Sequence, residues 1–101
     1  MLDRNLYSGL IRLHILHHAA EDAVFGQAMI DELGRHGYRM SAGTLYPILH
    51  GMERQGYLRS RRTRTDGRQR REYRATAAGR KALVTARKRV QELFGEMFEQ
   101  D

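Results

Sequence analysis

The residues from Arg59 to Arg74, RSRRTRTDGRQRREYR, hold eight arginines against two acids, Asp66 and Glu72. Their net charge of +6 equals the surplus of the whole 101-residue chain, because the segments on either side nearly cancel. A planar guanidinium matches phosphate oxygens in pairs, so this cluster has the chemistry to grip a polyanion and not to transform a substrate. A second cluster, His14, His17 and His18 in HILHH, has helical spacings that can seat a metal. No carboxylate or cysteine is seen beside it to complete a set, so ordinary packing and hydrogen bonding are expected and no metal is assigned. Nothing pairs a nucleophile with a base, and no phosphate loop is present, so neither catalysis nor a cofactor is expected.

The arginines need an element to hold them. Asp66-Gly67 suits the left-handed conformations of a tight two-residue hairpin turn, and its Thr- and Tyr-bearing arms can extend. Two strands are predicted, Leu58 to Arg64 and Arg68 to Ala75. The turn sets a register with Arg62 opposite Arg71 and Arg59 opposite Arg74, and like charges so placed destabilise a ribbon. Such a ribbon makes sense beside an anion. Arg62, Arg64, Arg68, Arg70 and Arg71 are the candidate phosphate contacts; for any one of them the alternative is simple solvation.

Three helices are predicted upstream. In NLYSGLIRLHILHHAA, Leu6, Leu10 and Leu13 share one face and Ile11 and Ile15 another, so the first helix should pack against two neighbours. FGQAMIDELGRHG carries Phe25, Met29, Ile30 and Leu33 at helical spacing, with Gly34 and Gly37 as stops. MSAGTLYPILHGMERQGYL follows, with Ser41 as N-cap and Gly56 as terminator. Leu45, Ile48, Leu49 and Met52 form its apolar stripe, while Gly43, Pro47, His50, Gly51 and Arg54 point the other way. That outward face is unusually low and suits entry into a groove about 12 Å wide. A later start, with Thr44 or Tyr46 as the cap and Pro47 in the first turn, is the alternative.

The last segment, TAAGRKALVTARKRVQELFGEMFEQD, reads as one long helix capped by Thr76. Leu83, Val90 and Met97 recur every seven residues, with Ala86 and Leu93 between them and Phe94 and Phe98 beside them. The pattern asks for a partner helix, so a homodimer is expected through Leu6, Leu10, Leu83, Ala86, Val90, Leu93, Phe94 and Met97. Packing back on its own domain is the alternative. Cysteine is absent, no apolar run approaches a membrane span, and the first residues lack the pattern of a signal peptide, so a cytoplasmic protein that avoids membranes is expected.

Helix, helix, helix and basic hairpin is the order of a winged helix-turn-helix. The fold expected is mainly α with a small β-hairpin: a DNA-binding domain over residues 1–75 and a dimerisation helix over 76–101. Here the chain resembles a known family. GLIRLHILHHAAEDAVFGQAMIDEL, MSAGTLYPILHGMERQGYL and RREYRATAAGRKAL are similar to the PadR-like transcriptional regulators. The specific parts are Gly43-Thr44-Leu45-Tyr46-Pro47, Glu53 to Gly56, Tyr73-Arg74-x-Thr76 and Gly79.

The resemblance implies a dimeric repressor on an inverted-repeat operator of double-stranded DNA, with Ser41, Gly43, Thr44, Tyr46 and Pro47 at or beside the bases. It points to the compact branch with one C-terminal helix, and to release by a small aromatic effector. Ser41 and Thr44 are the better hydrogen-bonding candidates, since hydroxyls serve bases or phosphates. Tyr46 has two roles open to it, packing against the wing or reaching a phosphate; Arg54 is a further phosphate candidate. Alternatives of another class are a winged-helix protein-interaction module and an RNA-binding protein.

Overall fold

The computed structural model describes residues 3–99; Met1, Leu2, Gln100 and Asp101, the outer ends of the two expected regions, lie outside them. The elements are α1 (Arg4–Glu21), β1 (Val24–Phe25), α2 (Gly26–Arg35), α3 (Ala42–Arg54), β2 (Leu58–Thr65), β3 (Arg68–Ala75) and α4 (Ala77–Phe98). Asp3 caps α1 by accepting from the amides of Asn5 and Leu6. Ile11, Ile15, Leu16 and Ala19 of α1 meet Met29 and Leu33 of α2 and Leu45, Leu49 and Met52 of α3 in a single core. The opposite face of α1 stays open, with Leu6 69% and Leu10 44% exposed. The two-faced first helix is as its pattern implies.

The sheet is antiparallel in the order β1-β3-β2, three strands where two were expected. Val24 and Phe25 pair with Tyr73 and Glu72, so Phe25 is a strand residue and N-cap and does not belong to α2. A two-residue strand carries no alternation for a periodicity argument to find. The hairpin register is the predicted one, Arg62 opposite Arg71 and Arg59 opposite Arg74. Asp66 (φ 52°) and Gly67 (φ 75°) both take positive φ, as a mirror-image two-residue turn requires.

Helix α3 starts at Ala42 with Ser41 as N-cap, so Pro47 lies inside it and the later start is excluded. Thr76 ties three elements together. Its Oγ1 accepts from Gly79 N (2.9 Å) to cap α4 and donates to Gly56 O (2.5 Å), while its amide donates to Tyr57 O (3.0 Å). Gly79 sits so close to Tyr57 that a Cβ there would overlap the Tyr57 carbonyl oxygen. The first turns of α4 pack on the core through Ala82 and Leu83, and the rest of the helix runs past it.

Candidate nucleic-acid interface

The core side of α3 is fully buried at Leu45 and Leu49, which leaves Ser41, Gly43, Pro47, His50 and Arg54 exposed on the other. The Ser41 hydroxyl makes no capping hydrogen bond, so it is free to meet an external group. Thr44 is half-buried and already engaged: Arg4 Nη1, forty positions earlier on α1, donates to its Oγ1 at 2.9 Å. No sequence pattern signals that pair, and it brings Arg4 to the first turn of α3. Tyr46 lies over the start of α2, where a Cβ on Gly26 would overlap its phenolic oxygen. This ring packs against the first residue of α2. Arg54 folds back beside Gly51, so a Cβ added at that glycine would stand 3.7 Å from the guanidinium.

The strand register divides the wing arginines between two faces. One face begins with the buried Leu58, Tyr73 and Ala75, continues through Ser60 beside α3, and ends with Arg62, Arg64 and Arg71 exposed. The other carries Arg59, Arg61, Arg68, Arg70 and Arg74. On that second face Glu72 is buried, 6% exposed, and accepts from Arg61 Nε at 2.5 Å, with Arg74 Nε at 3.6 Å. Arg70 stands over the Phe25 ring, 5.4 Å from its centroid, an attraction between a cation and the negative face of the ring. Three of the five arginines on this face thus have commitments within the protein. Sequence reasoning missed this because it depends on β1 and on the burial of Glu72 among these arginines.

Wing and helix are joined by a short polar relay. The carboxylate of Glu53, near the end of α3, accepts from Ser60 Oγ (2.8 Å) and Ser60 N (3.2 Å), and Arg71 Nη1 donates to Ser60 Oγ (2.9 Å). This gives the Glu53 to Gly56 motif a physical role: it fixes the wing's angle to α3. Close by, the Tyr73 hydroxyl is buried with no hydrogen-bond partner among the described residues, and burial pushes its pKa up.

The residues expected to form a dimer seam fall along one open groove and beyond it. Leu10, Leu13, Leu83, Ala86, Val90 and Phe94 line a groove between α1 and α4. Leu93, Met97 and Phe98 are exposed further along α4, at 55, 63 and 68%. His14 and His17 line the same groove. His14 stacks on His36, the C-cap residue of α2, at 4.7 Å, and burial, followed by the nearness of His36, lowers its pKa. Hydrogen bonds from Arg35 (2.7 Å) and then His36 (2.8 Å) hold the Glu32 carboxyl down to about 2. A carboxylate does stand beside His17 and His18, contrary to the sequence reading: Glu21, one helical turn beyond His17.

A helical core, a basic hairpin locked to the third helix and a long C-terminal helix define a winged helix-turn-helix protein. The family model of the transcriptional regulator PadR-like family matches residues 15–85. The chain is 52% identical over 94 residues to "Transcriptional regulator Rv3488" of Mycobacterium tuberculosis, covering 93% of this chain and 88% of that protein. Among solved structures, a PadR family transcriptional regulator from Eggerthella lenta superposes with a TM-score of 0.77 at 27% identity, over 96% of this chain and 88% of the other. Bacillus subtilis PadR, solved in complex with operator DNA, shares the fold with a TM-score of 0.67 at 16% identity, over 75% of this chain and 45% of its own. The chain belongs to the PadR-like family; it is a transcriptional regulator and not an enzyme.

Proposed function

We propose that the protein is a sequence-specific DNA-binding repressor that binds an inverted-repeat operator as a homodimer. The observation that carries this reading is the low exposed face of α3, Gly43 to Pro47, on a helix that the Glu53–Ser60–Arg71 hydrogen bonds tie to a wing bearing the exposed Arg62, Arg64 and Arg71. A helix with little side chain on its outer surface can seat deeply in the major groove while guanidinium groups take the flanking phosphates. The operator complex of Bacillus subtilis PadR lends support, since the two proteins share a fold. Residues 1–75 carry DNA binding, with Ser41 and Thr44 facing bases and Arg54, Arg68 and Arg70 as outer phosphate contacts. Residues 76–101 carry dimerisation.

The dimer reading rests on the exposed apolar side chains of α4. The Phe94 and Phe98 rings meet as a tilted pair with centroids 5.0 Å apart and stay 50 and 68% exposed, a surface that a second copy of α4 would cover. The apolar groove between α1 and α4 also suits a small aromatic effector, whose binding would change the seam angle and hence the half-site spacing. No membrane-spanning role is supported: no helix among the described residues is long and apolar enough to cross a membrane.

Selection of bound sequences from random DNA tests the whole reading. Two copies of one motif, inverted and about 10 base pairs apart or a multiple of that, are expected. A single unpaired motif would remove the dimeric operator. An absence of enrichment would remove sequence reading and favour the protein-interaction or RNA-binding alternative. Leu93→Lys with Phe94→Glu should convert the protein to a monomer by light scattering, and an unchanged mass would place the seam elsewhere.

A further inference from the structure

We infer that His17, His18 and Glu21 form a binding site for a divalent transition metal of the zinc class at the rim of the α1–α4 groove. The ligand atoms of the three side chains lie within 4.8 Å of one another. His17 and Glu21 are four apart and so share a helix face, and His17 Nε2 already stands 3.7 Å from Glu21 Oε1. His18 joins them from the next position, its ring edge-on to His17 with centroids 5.1 Å apart. Zinc bonds of about 2.0 to 2.2 Å place tetrahedral donors about 3.3 Å apart, so the widest pair must draw in by about 1.5 Å. Rotation of exposed side chains provides that. Two imidazoles and one carboxylate favour Zn2+, Co2+ or Ni2+ over Mg2+ or Ca2+, and they leave a coordination position for water or a further ligand.

The surroundings leave this triad available. Glu32, the other carboxylate near His18 at 3.6 Å, is held by Arg35 and His36, whereas the one ion-pair partner of Glu21 among the described residues is His17. Arg87 lines the same groove without pairing with Glu21. His17 and Glu21 also line that groove, beside Leu83 and Phe94. An ion there would lock the rim of the surface on which the dimer reading rests, so it would act as an effector of that reading while binding independently of DNA.

Titration of the full chain with zinc chloride in chelator-free buffer tests the site. One saturable ion per chain is expected, with affinity falling more than about tenfold in each of His17→Gln, His18→Gln and Glu21→Gln. Cobalt should give the intense visible bands of a low-coordinate site in the wild type and lose them in the variants. His17 and Glu21 are exposed, so those two variants keep the fold and decide the matter even if the half-buried His18 does not tolerate change. Binding that survives all three substitutions, or no saturable binding below about 1 mM, overturns the inference. Metal-free variants should bind random duplex DNA as the wild type does. A loss of zinc with DNA binding intact separates the two readings, and wild-type protein that binds zinc but no DNA would sink the DNA reading alone.

Discussion

Neutralising arginines on the two faces of the wing should have different consequences. Arg62 and Arg71 are opposed across the strands on the face that continues past α3, whereas Arg61, one residue away, turns to Glu72 on the other. Removing one phosphate-binding arginine lowers the slope of log affinity against log salt by about 0.9, so Arg62→Gln with Arg71→Gln should lower it by about 1.8. Counted per protomer, that is about a twelvefold smaller fall in affinity for random duplex DNA between 50 and 200 mM salt. Thermal stability should change little, because the double variant removes a like-charge cross-strand pair together with the Arg71 hydrogen bond to Ser60.

Arg61→Gln is the matched control. It should leave the salt slope unchanged but destabilise the fold by about 1.5 kcal/mol, because Glu72 loses a charge-assisted hydrogen bond in a buried position. The low end of the usual range applies, since Arg61 is 73% exposed and Arg74 remains near the carboxylate. Fluorescence anisotropy across a salt series gives the slopes and urea unfolding gives the stability. Equal slope changes in the Arg61 and Arg62/Arg71 variants would refute the assignment of Arg61 to the support of the wing and of Arg62 and Arg71 to phosphate.

Gly79→Ala should destabilise the protein by about 2 kcal/mol or prevent folding, because its Cβ would overlap the Tyr57 carbonyl oxygen where β2 and α4 begin; urea denaturation with a loss under about 0.5 kcal/mol would contradict the contact. Tyr73→Phe should be neutral or stabilising by about 1 kcal/mol, since it removes a buried hydroxyl with no partner, and a clear drop in melting temperature would mean that the hydroxyl is satisfied in solution. Thr44→Ala should weaken operator binding more than random-DNA binding, and Arg4→Ala should reproduce part of that change because Arg4 holds the Thr44 hydroxyl; equal losses on both DNAs would exclude base reading by Thr44.

Legibility in the sequence followed the range of the interaction. Ser41, Asp66-Gly67 and Thr76 announce their roles because caps and tight turns are decided within a few residues, and the turn then carries the register of both strands with it. What stayed hidden depends on distant partners. Arg4 meets Thr44 across two helices, and Phe25 becomes a seat for Arg70 only once β1 joins the sheet. The eight arginines are visible as charge, but their division into free and committed groups needs Glu72, Phe25 and Ser60 as partners. Glu21 escaped notice because the histidine cluster invites attention to its own five residues, while the i,i+4 geometry reaches just past them.

The features that work against the isolated chain are gathered on surfaces where something else can bind. Pro47 deprives the Gly43 carbonyl of its helical donor, yet Gly43 is exposed, so solvent or a ligand can serve that oxygen while Leu45 and Leu49 hold the helix from beneath. Arg62 and Arg71 repel each other on one side of the wing. Phe94, Met97 and Phe98 leave apolar surface in water along α4. Stability alone would select against each of these, and local rules are broken most often where a site must be kept ready. A polyanion would relieve the repulsion and cover the proline face, and a second α4 would cover the aromatics. The charge of Glu72 is the opposite case. It is buried but answered by Arg61 and Arg74 within the same sheet, so it needs no outside partner, and it belongs to the support of the wing and not to its contact surface.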